Sequence, residues 1–357
     1  MENKIIKILK KLVSYKSIND DASAITSCYE YIDKQLSFFP FIKKIFKQNG
    51  VESRTWSTVN SLTPEYILNA HLDVVPAPGS MFDLKQDNDK LMGRGVSDMK
   101  FAIASYILVL QEIYKSTKKL PSLTIIITAD EERGGNNGVG FLVKEIGYRP
   151  NVAFVPDGGD DNKIVENAKG VLQLEIITTG RSAHASRLWE GEGAIEKIAD
   201  TVNNLRKKYP YPDEPIWANT LNIGKISGGA QTNQVPDSAS IFVDLRCLPE
   251  TNIDKIIKEV EIICPNCQVK VLTTGEVFHV DRNNLYVKRW AKLISSDDSV
   301  FINEHGASDG RFFASVGIPV IVSKPIGGNI HSLDEWISLK SIVEFSNNFK
   351  KFLLNEK

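Results

Sequence analysis

The sequence predicts an α/β protein in which a mostly parallel sheet is flanked by helices, with a smaller α+β module inserted into it. Short apolar segments with strand character alternate with segments of helical spacing, which is typical of parallel sheets with helices on both faces. This rhythm changes between residues 169 and 278 and then returns. The chain has 357 residues, more than a single core usually supports, so two domains are expected.

The first part of the chain has the apolar spacing of two helices within residues 1–50. Ile5, Leu9 and Leu12 define one apolar side of the first helix, and lysines alternate with them. Because no separate apolar region and no cleavage site of small residues follow, we interpret this segment as an amphipathic helix rather than a secretory signal.

Four short segments are predicted to form the parallel strands. The run from Leu123 to Ala129 is rich in β-branched residues, as in strands that are buried on both faces. A helix is expected after Asp98, where apolar residues recur with helical spacing. The other three predicted strands are Tyr66–Ala70, Asn151–Val155 and Ile318–Val322.

The inserted module has the predicted order β-α-β-β-α-β, which is that of a ferredoxin-like unit. Its sheet would be antiparallel, so we assign residues 169–278 to a separate domain and residues 1–168 with 279–357 to the main one. The six predicted elements are Val171–Thr179, Ala194–Lys207, Asn219–Ile226, Ser238–Arg246, Ile253–Ile263 and Gln268–Thr273.

Composition narrows the class of protein. Apolar residues make up 42% of the chain and the net charge is −1, so neither nucleic acid nor a membrane is an expected partner. Four cysteines are too few for a disulfide framework, and a cytoplasmic location is expected. Cys264 and Cys267 form a CxxC, for which a structural turn is favoured over a redox or zinc site because no second pair accompanies it.

Acidic residues and histidines follow the predicted strands at the point where each strand ends. Because the carboxyl ends of parallel strands share one edge of a sheet, these side chains are expected to converge. Two histidines and three carboxylates suit a pair of Zn²⁺ ions, with Asp98 able to bridge both and Asp73 able to orient an imidazole. The candidates are His71, Asp73, Asp98, Glu131, Glu132, Asp157 and His331.

Each candidate also has an ordinary explanation. His71 can be a structural histidine, Asp98 a helix N-cap, and Asp157 part of a turn with Gly158. The convergence of several candidates on one edge favours the metal site. Two glycine-rich segments, 93–98 and 134–140, lack the third glycine of a dinucleotide site and the lysine of a P-loop, so a nucleotide-binding enzyme is disfavoured.

The motifs His71-Leu72-Asp73, Gly93-Arg94-Gly95-Val96-Ser97-Asp98-Met99-Lys100, Asp130-Glu131-Glu132 and Gly-x-x-His331-Ser resemble those of the co-catalytic di-zinc aminoacylase/carboxypeptidase family. That family includes succinyl-diaminopimelate desuccinylase, acetylornithine deacetylase, glutamate carboxypeptidase and bacterial dipeptidases. The resemblance covers nearly the whole chain. It implies the di-zinc exopeptidase type of fold, with the inserted module as a lid and dimerisation domain.

The resemblance also implies roles for individual residues. Asp98 bridges two Zn²⁺ ions, for which Co²⁺ or Mn²⁺ substitute, and Glu131 is the general base. A cis peptide bond is implied between Asp98 and Met99. The remaining implied ligands are His71 and Asp157 at one metal and Glu132 and His331 at the other.

Residues of the inserted module and of the glycine-rich segment before His331 are implied to contact substrate. His184 would stabilise the oxyanion, often in the active site of a partner subunit, so a homodimer is expected. Arg246 suits a substrate carboxylate because its guanidinium pairs both oxygens, although a surface charge is an equal alternative. The implied substrate-binding residues are Asn233, Arg246, Gly327 and Gly328. Trp189, Trp217, Lys324 and Ile326 are further pocket candidates, and His279 and His305 are taken as structural.

The residue at position 157 departs from part of the family. Many deacylase and carboxypeptidase relatives have Glu there, whereas Asp157 resembles the dipeptidase and aminopeptidase branches. We therefore expect a dipeptidase or exopeptidase that cleaves an amide bond next to a free carboxylate. An N-acyl-amino-acid deacylase is the alternative, and a non-catalytic zinc-dependent binding protein is a less favoured one.

Overall fold

The computed structural model describes residues 1–275, 277–295 and 297–356. It divides into two compact units, Met1–Glu166 with His279–Lys357, and Asn167–Phe278. The second unit is therefore inserted between two segments of the first, and the boundaries expected from the sequence, at 168 and 279, lie next to these. Within the described ranges, no helix is both long and apolar enough to cross a membrane.

A six-stranded sheet forms the centre of the first unit. Its last four strands run parallel to one another, and its first two pair antiparallel. All residues of the two strands in the middle, 123–128 and 66–71, are buried. The mostly parallel sheet predicted from the sequence is thus confirmed. In spatial order the strands are Ile42–Gln48, Val51–Ser57, Leu123–Thr128, Tyr66–His71, Val152–Phe154 and Val320–Ile321.

Helices cover the sheet and build the core of the first unit. The helix Phe101–Thr117 is buried along most of its length, as its apolar sequence predicted. Phe154, at the end of a strand of the sheet, packs against aromatic rings from two helices. Its ring centroid is 4.8 Å from that of Trp290 and 4.9 Å from that of Phe349. The helices of this unit are Glu2–Ser14, Ala22–Leu36, Phe101–Thr117, Leu285–Ile294, Gly310–Ala314 and Leu339–Leu354.

A small second sheet supports the loops near the predicted ligands. It consists of four short strands, Gly327–Gly328, Trp336–Ser338, Lys90–Met92 and Lys85–Asp87, in that order. Three more short strands, Phe278–His279, Ile164–Ala168 and Phe301–Glu304, form a third sheet in that order.

The sequence argument missed one β-hairpin. We expected only two helices within residues 1–50, but Ile42–Gln48 and Val51–Ser57 form antiparallel strands. Asn49 and Gly50 join them with φ of 47° and 83°. Asn-Gly is the strongest short hairpin signal because both positions need a positive φ. The exposed, lysine-containing edge strand has no buried pattern that would have drawn attention to it.

The second unit has the predicted β-α-β-β-α-β order. Its four main strands, Thr220–Gly228, Ser238–Cys247, Gly170–Thr179 and Cys267–Gly275, form an antiparallel sheet in that spatial order. The helices Ala194–Lys208 and Ile253–Ile263 share a buried apolar core with this sheet. A short pair, Ala183–His184 with Gln234–Val235, lies apart from it.

The CxxC forms the predicted structural turn. The amide of Cys267 donates to the carbonyl of Cys264 (3.2 Å) between the end of a helix and the start of a strand. Both thiols are free, and burial raises the pKa of Cys264 to about 12.

Candidate metal centre

The candidate ligands all belong to the first unit, and strand ends position most of them. His71 is the last residue of its strand, Glu132 follows the strand that ends at Thr128, and Asp157 follows the strand that ends at Phe154. Asp98 lies in the turn before the helix Phe101–Thr117. Parallel pairing places these strand ends at one edge of the sheet.

Asp98 lies between two histidines. Its Oδ1 is 3.0 Å from His71 Nε2, and its Oδ2 is 3.1 Å from His331 Nε2. His331 Nε2 is also 3.1 Å from Glu132 Oε2. One carboxylate oxygen thus faces each histidine, as expected of a residue that bridges two cations.

Two ligand groups result, each with its ligand atoms within 4.8 Å of one another. We call His71, Asp98 and Asp157 the first ligand group, and Asp98, Glu132 and His331 the second. They are the same two sets that the resemblance implies. In tetrahedral zinc sites with bonds of about 2 Å, ligand atoms lie roughly 3.3 Å apart. The three nitrogen-to-oxygen distances above are close to this value, and Asp157 lies within 4.8 Å of its group, so the donors of both groups suit a divalent ion.

His71 is held in one tautomer from its far side. Its Nδ1 lies 3.0 Å from the main-chain oxygen of Asp73 and 3.5 Å from Asp73 Oδ1. Nδ1 would therefore keep its proton if a cation replaced the proton on Nε2. We expected Asp73 to orient an imidazole, and of its two contacts with Nδ1 the one from the main-chain carbonyl is the shorter.

The carboxylate of Asp73 instead holds the segment that bears Glu132. Its Oδ2 accepts hydrogen bonds from the Glu132 amide (3.1 Å) and from Asn19 Nδ2 (3.2 Å). Asp73 thereby links the first strand end to the second, in addition to orienting His71.

The charges of the centre shift the pKa values of its histidines and of Asp98. Hydrogen bonds to Asp98 and then Glu132 raise the pKa of His331 to about 10. Burial works against protonation of His71, yet hydrogen bonds to Asp73 and Asp98 raise its pKa well above the usual value. Burial also opposes ionisation of Asp98, but hydrogen bonds from His331 and His71 lower its pKa.

The other two acidic groups are shifted in the opposite direction. Burial, followed by the charge of Asp98, raises the pKa of Asp157 to about 7. Burial and the charge of Asp157 raise the pKa of Glu131 well above the usual value. A cation in either ligand group would counter this repulsion and keep both groups ionised.

The peptide bond between Asp98 and Met99 is cis, which confirms the geometry implied by the resemblance.

Several buried groups beside the centre were not predicted. Asp309 is 2% exposed, and within the described ranges neither of its oxygens has a hydrogen-bond partner. Its charge contributes to the raised pKa of Glu131. Glu335, which is fully buried, accepts hydrogen bonds from the Asp98 segment. Neither residue belongs to a sequence pattern that indicates such a position.

Lys324, a predicted pocket residue, is buried and pairs with Asp160 (2.9 Å). Its charge also lowers the pKa values of Asp98 and Asp157, so it lies close to the first ligand group.

The predicted residues of the inserted module lie in the second unit, whereas every candidate ligand lies in the first. His184 and Asn233 are neighbours there, because the Ala185 amide donates to the Asn233 carbonyl (2.9 Å). Arg246 Nε donates to Asp244 Oδ1 (2.7 Å) on the sheet. Trp189 and Trp217 also belong to this unit.

The predicted glycines of the first unit pair with the strand Trp336–Ser338. A Cβ at Gly327 would lie 2.6 Å from Ser97 Oγ, so only glycine fits beside the Asp98 segment. Ile326, which precedes them, is 38% exposed.

Comparison with known proteins adds independent information. The model of Peptidase family M20/M25/M40 matches residues 67–355. The succinyl-diaminopimelate desuccinylase of Wolinella succinogenes is 25% identical over 362 residues, covering 96% of this chain and 97% of that protein.

Two solved structures are similar over almost the whole chain. A tripeptidase from Staphylococcus aureus has a TM-score of 0.80 at 20% identity and covers 99% of this chain and 98% of its own. Aminopeptidase PepT from Bacillus cereus has a TM-score of 0.76 at 21% identity, with the same coverage. At these identities they establish the fold, and they agree with the predicted fold class.

Proposed function

The chain belongs to peptidase family M20/M25/M40, and we propose that it hydrolyses the amide bond of short peptides at a metal pair centred on Asp98. Family membership makes it a metal-dependent hydrolase, of the peptidase or deacylase kind. The observation that carries the proposal is the position of Asp98, whose two oxygens face His71 and His331 at 3.0 and 3.1 Å.

The two ligand groups would each hold one Zn²⁺, with Co²⁺ or Mn²⁺ as substitutes. Histidine and carboxylate ligands suit these ions, and the raised pKa values of Asp157 and Glu131 are a sign of unbalanced negative charge. When bound, such ions polarise the substrate carbonyl and increase the acidity of water.

Glu131 is the proposed general base. It takes a proton from the attacking water and gives it to the leaving amine, as a carboxylate of raised pKa is suited to do near neutral pH. Its neighbour Glu132 contacts His331 instead, so the two glutamates have separate tasks. His184 would donate to the oxyanion from the inserted unit.

The proposed substrate is a short peptide with a free carboxylate. Arg246 offers a guanidinium, and Asn233, Gly327 and Gly328 offer polar groups and backbone for that carboxylate. The names of the two similar structures, a tripeptidase and an aminopeptidase, support peptides, as does Asp rather than Glu at position 157.

A deacylase of N-acyl amino acids is the second candidate. The supporting observation is the 25% identity to a desuccinylase over 96% of the chain. Assembly as a homodimer through the inserted unit, and a cytoplasmic location suggested by four free cysteines, belong to the same proposal.

The substitution Glu131→Gln tests the proposed chemistry. The amide has nearly the same shape but accepts no proton, so turnover is expected to fall by about 10²-fold or more while metal content stays unchanged. The assay compares dipeptides and tripeptides with N-acetyl and N-succinyl amino acids, each with Zn²⁺ or Co²⁺, alongside elemental analysis of both proteins.

Glu145→Gln is the matched control. Glu145 is exposed on a segment that carries no candidate ligand, and its substitution removes the same charge. Normal turnover by the Glu131 variant would remove this residue from the role of base. Hydrolysis of acyl amino acids but not of peptides would replace the first candidate by the second.

A further inference from the structure

A buried ion pair contacts the backbone next to two of the candidate ligands, Asp98 and His331. Arg94 Nη1 is 2.7 Å from Glu335 Oε2, and these residues are 2% and 0% exposed. Glu335 immediately precedes the strand Trp336–Ser338 and is distant in sequence from Arg94. Charged side chains are rarely this deeply buried unless they are paired with an opposite charge, as these two are.

The Glu335 carboxylate accepts hydrogen bonds from the backbone of residues 93–100, which we call the Asp98 loop. Its Oε1 receives the amides of Ser97 (3.0 Å) and Asp98 (3.3 Å), and its Oε2 receives the amide of Gly95 (3.0 Å). One side chain therefore accepts three backbone amides at and beside the shared ligand Asp98.

Arg94 extends this connection to residues 327–334, which we call the His331 loop. Its Nη2 donates to the carbonyl of Ser332 (3.0 Å), the residue after His331. The main chain adds a second link, since the Gly93 amide donates to the Glu335 carbonyl (3.2 Å). The two loops thus share one buried connection.

We infer that the Arg94–Glu335 pair ties the Asp98 loop to the His331 loop and thereby sets the metal affinity of the second ligand group. That group takes two of its ligands from the two tied loops, whereas the first group takes only Asp98 from them. The pair touches no ligand atom of either group in the described contacts, so both members are positioning residues. The inference rests on the proposed function, because it requires that both groups bind metal.

The test is a titration of the apoprotein with Co²⁺. Calorimetry measures the two affinities, and the visible absorption of bound Co²⁺ reports the environment of each ion. In Glu335→Gln, the second group is expected to bind Co²⁺ about 10–100-fold more weakly, as is usual when a group that orients ligands is changed. The first group should change by less than about tenfold. His331→Ala, which lacks a ligand of the second group alone, identifies the weaker site.

Glu344→Gln is the matched control, because Glu344 is exposed on the helix Leu339–Leu354 and loses the same charge. Equal Co²⁺ affinities and spectra in the Glu335 and Glu344 variants would overturn the inference, and so would equal weakening of both groups. If the Glu335 variant does not fold, Arg94→Lys serves with the same criteria, since lysine lacks the planar guanidinium whose two separate nitrogens bind Glu335 and Ser332.

Failure of the proposed function gives a different result. A wild-type protein that binds no divalent ion would refute the metal centre itself, and the role of the pair would fall with it. A wild-type protein with two bound ions and an unaffected Glu335 variant would refute only the role of the pair.

Discussion

At the scale of single residues, the direction of a hydrogen bond defines the tautomer of His184. His184 Nδ1 accepts a hydrogen bond from the Ser186 amide (3.2 Å) and lies 2.8 Å from Ser186 Oγ. An amide can only donate, so Nδ1 has no proton in the neutral ring and Nε2 has one. This tautomer gives His184 the donor that an oxyanion needs. The sequence named the residue, but only the contact with Ser186 defines the tautomer.

The substitution His184→Ala is therefore expected to lower kcat by about 10²-fold or more, as loss of an oxyanion donor does in other hydrolases. Ser186→Ala should have a smaller effect of the same kind, since the Ser186 amide still fixes the tautomer. Steady-state kinetics with the substrate identified in the screen measures both. A change in KM alone would mean that His184 binds the ground state rather than the transition state.

At the scale of elements, a buried lysine connects the helix after Asp98 to the first helix. Lys100, which is fully buried, donates from Nζ to the carbonyls of Leu12 (3.1 Å) and Tyr15 (2.9 Å). These carbonyls lie at the end of the helix Glu2–Ser14, where four carbonyl groups lack partners within the helix. The lysine thus anchors an amphipathic helix whose apolar side was evident from the sequence.

Lys100→Met should leave these carbonyls without their buried donor and lower the free energy of unfolding by about 1–3 kcal/mol. Urea denaturation followed by circular dichroism measures the change. Lys115→Met, an exposed lysine on the helix Phe101–Thr117, is the control and should differ from the wild type by less than about 0.5 kcal/mol. Identical denaturation midpoints for the two variants would contradict the anchoring role.

The sequence predicted those parts of the site that follow directly from strand topology. His71, Glu132 and Asp157 each lie at or just after the end of a recognisable apolar strand, and parallel strands bring such positions together. Glu335 could not be found in this way, because it binds backbone amides, which every residue except proline has. Its position depends on how two distant loops fold, and that is not encoded in local spacing.

The fold could be predicted for a similar reason, with one instructive failure. Buried strands and amphipathic helices have distinct apolar periods, so most elements were assigned correctly. The hairpin at Asn49-Gly50 was missed because its first strand is largely exposed and has no such period. A turn signal, rather than hydrophobicity, was the available evidence for it.

At the scale of the whole molecule, catalytic and binding candidates are divided between two units of one chain. The ligands and Glu131 come from both segments of the first unit, and His184, Asn233 and Arg246 come from the second. Because the second unit is inserted, the first unit is built from two segments that lie far apart in the sequence. The contact between His331 and Asp98 joins these segments, because Asp98 precedes the insertion and His331 follows it.

The metal content of wild-type protein and of Asp98→Asn tests the central claim most directly. Asp98 belongs to both ligand groups, so its loss should affect both ions at once. Elemental analysis after dialysis against Zn²⁺ is expected to give about two ions per wild-type chain and fewer than about one per variant chain, with folding verified by circular dichroism. A folded variant that retains both ions, or a wild-type protein that binds none, would contradict the account.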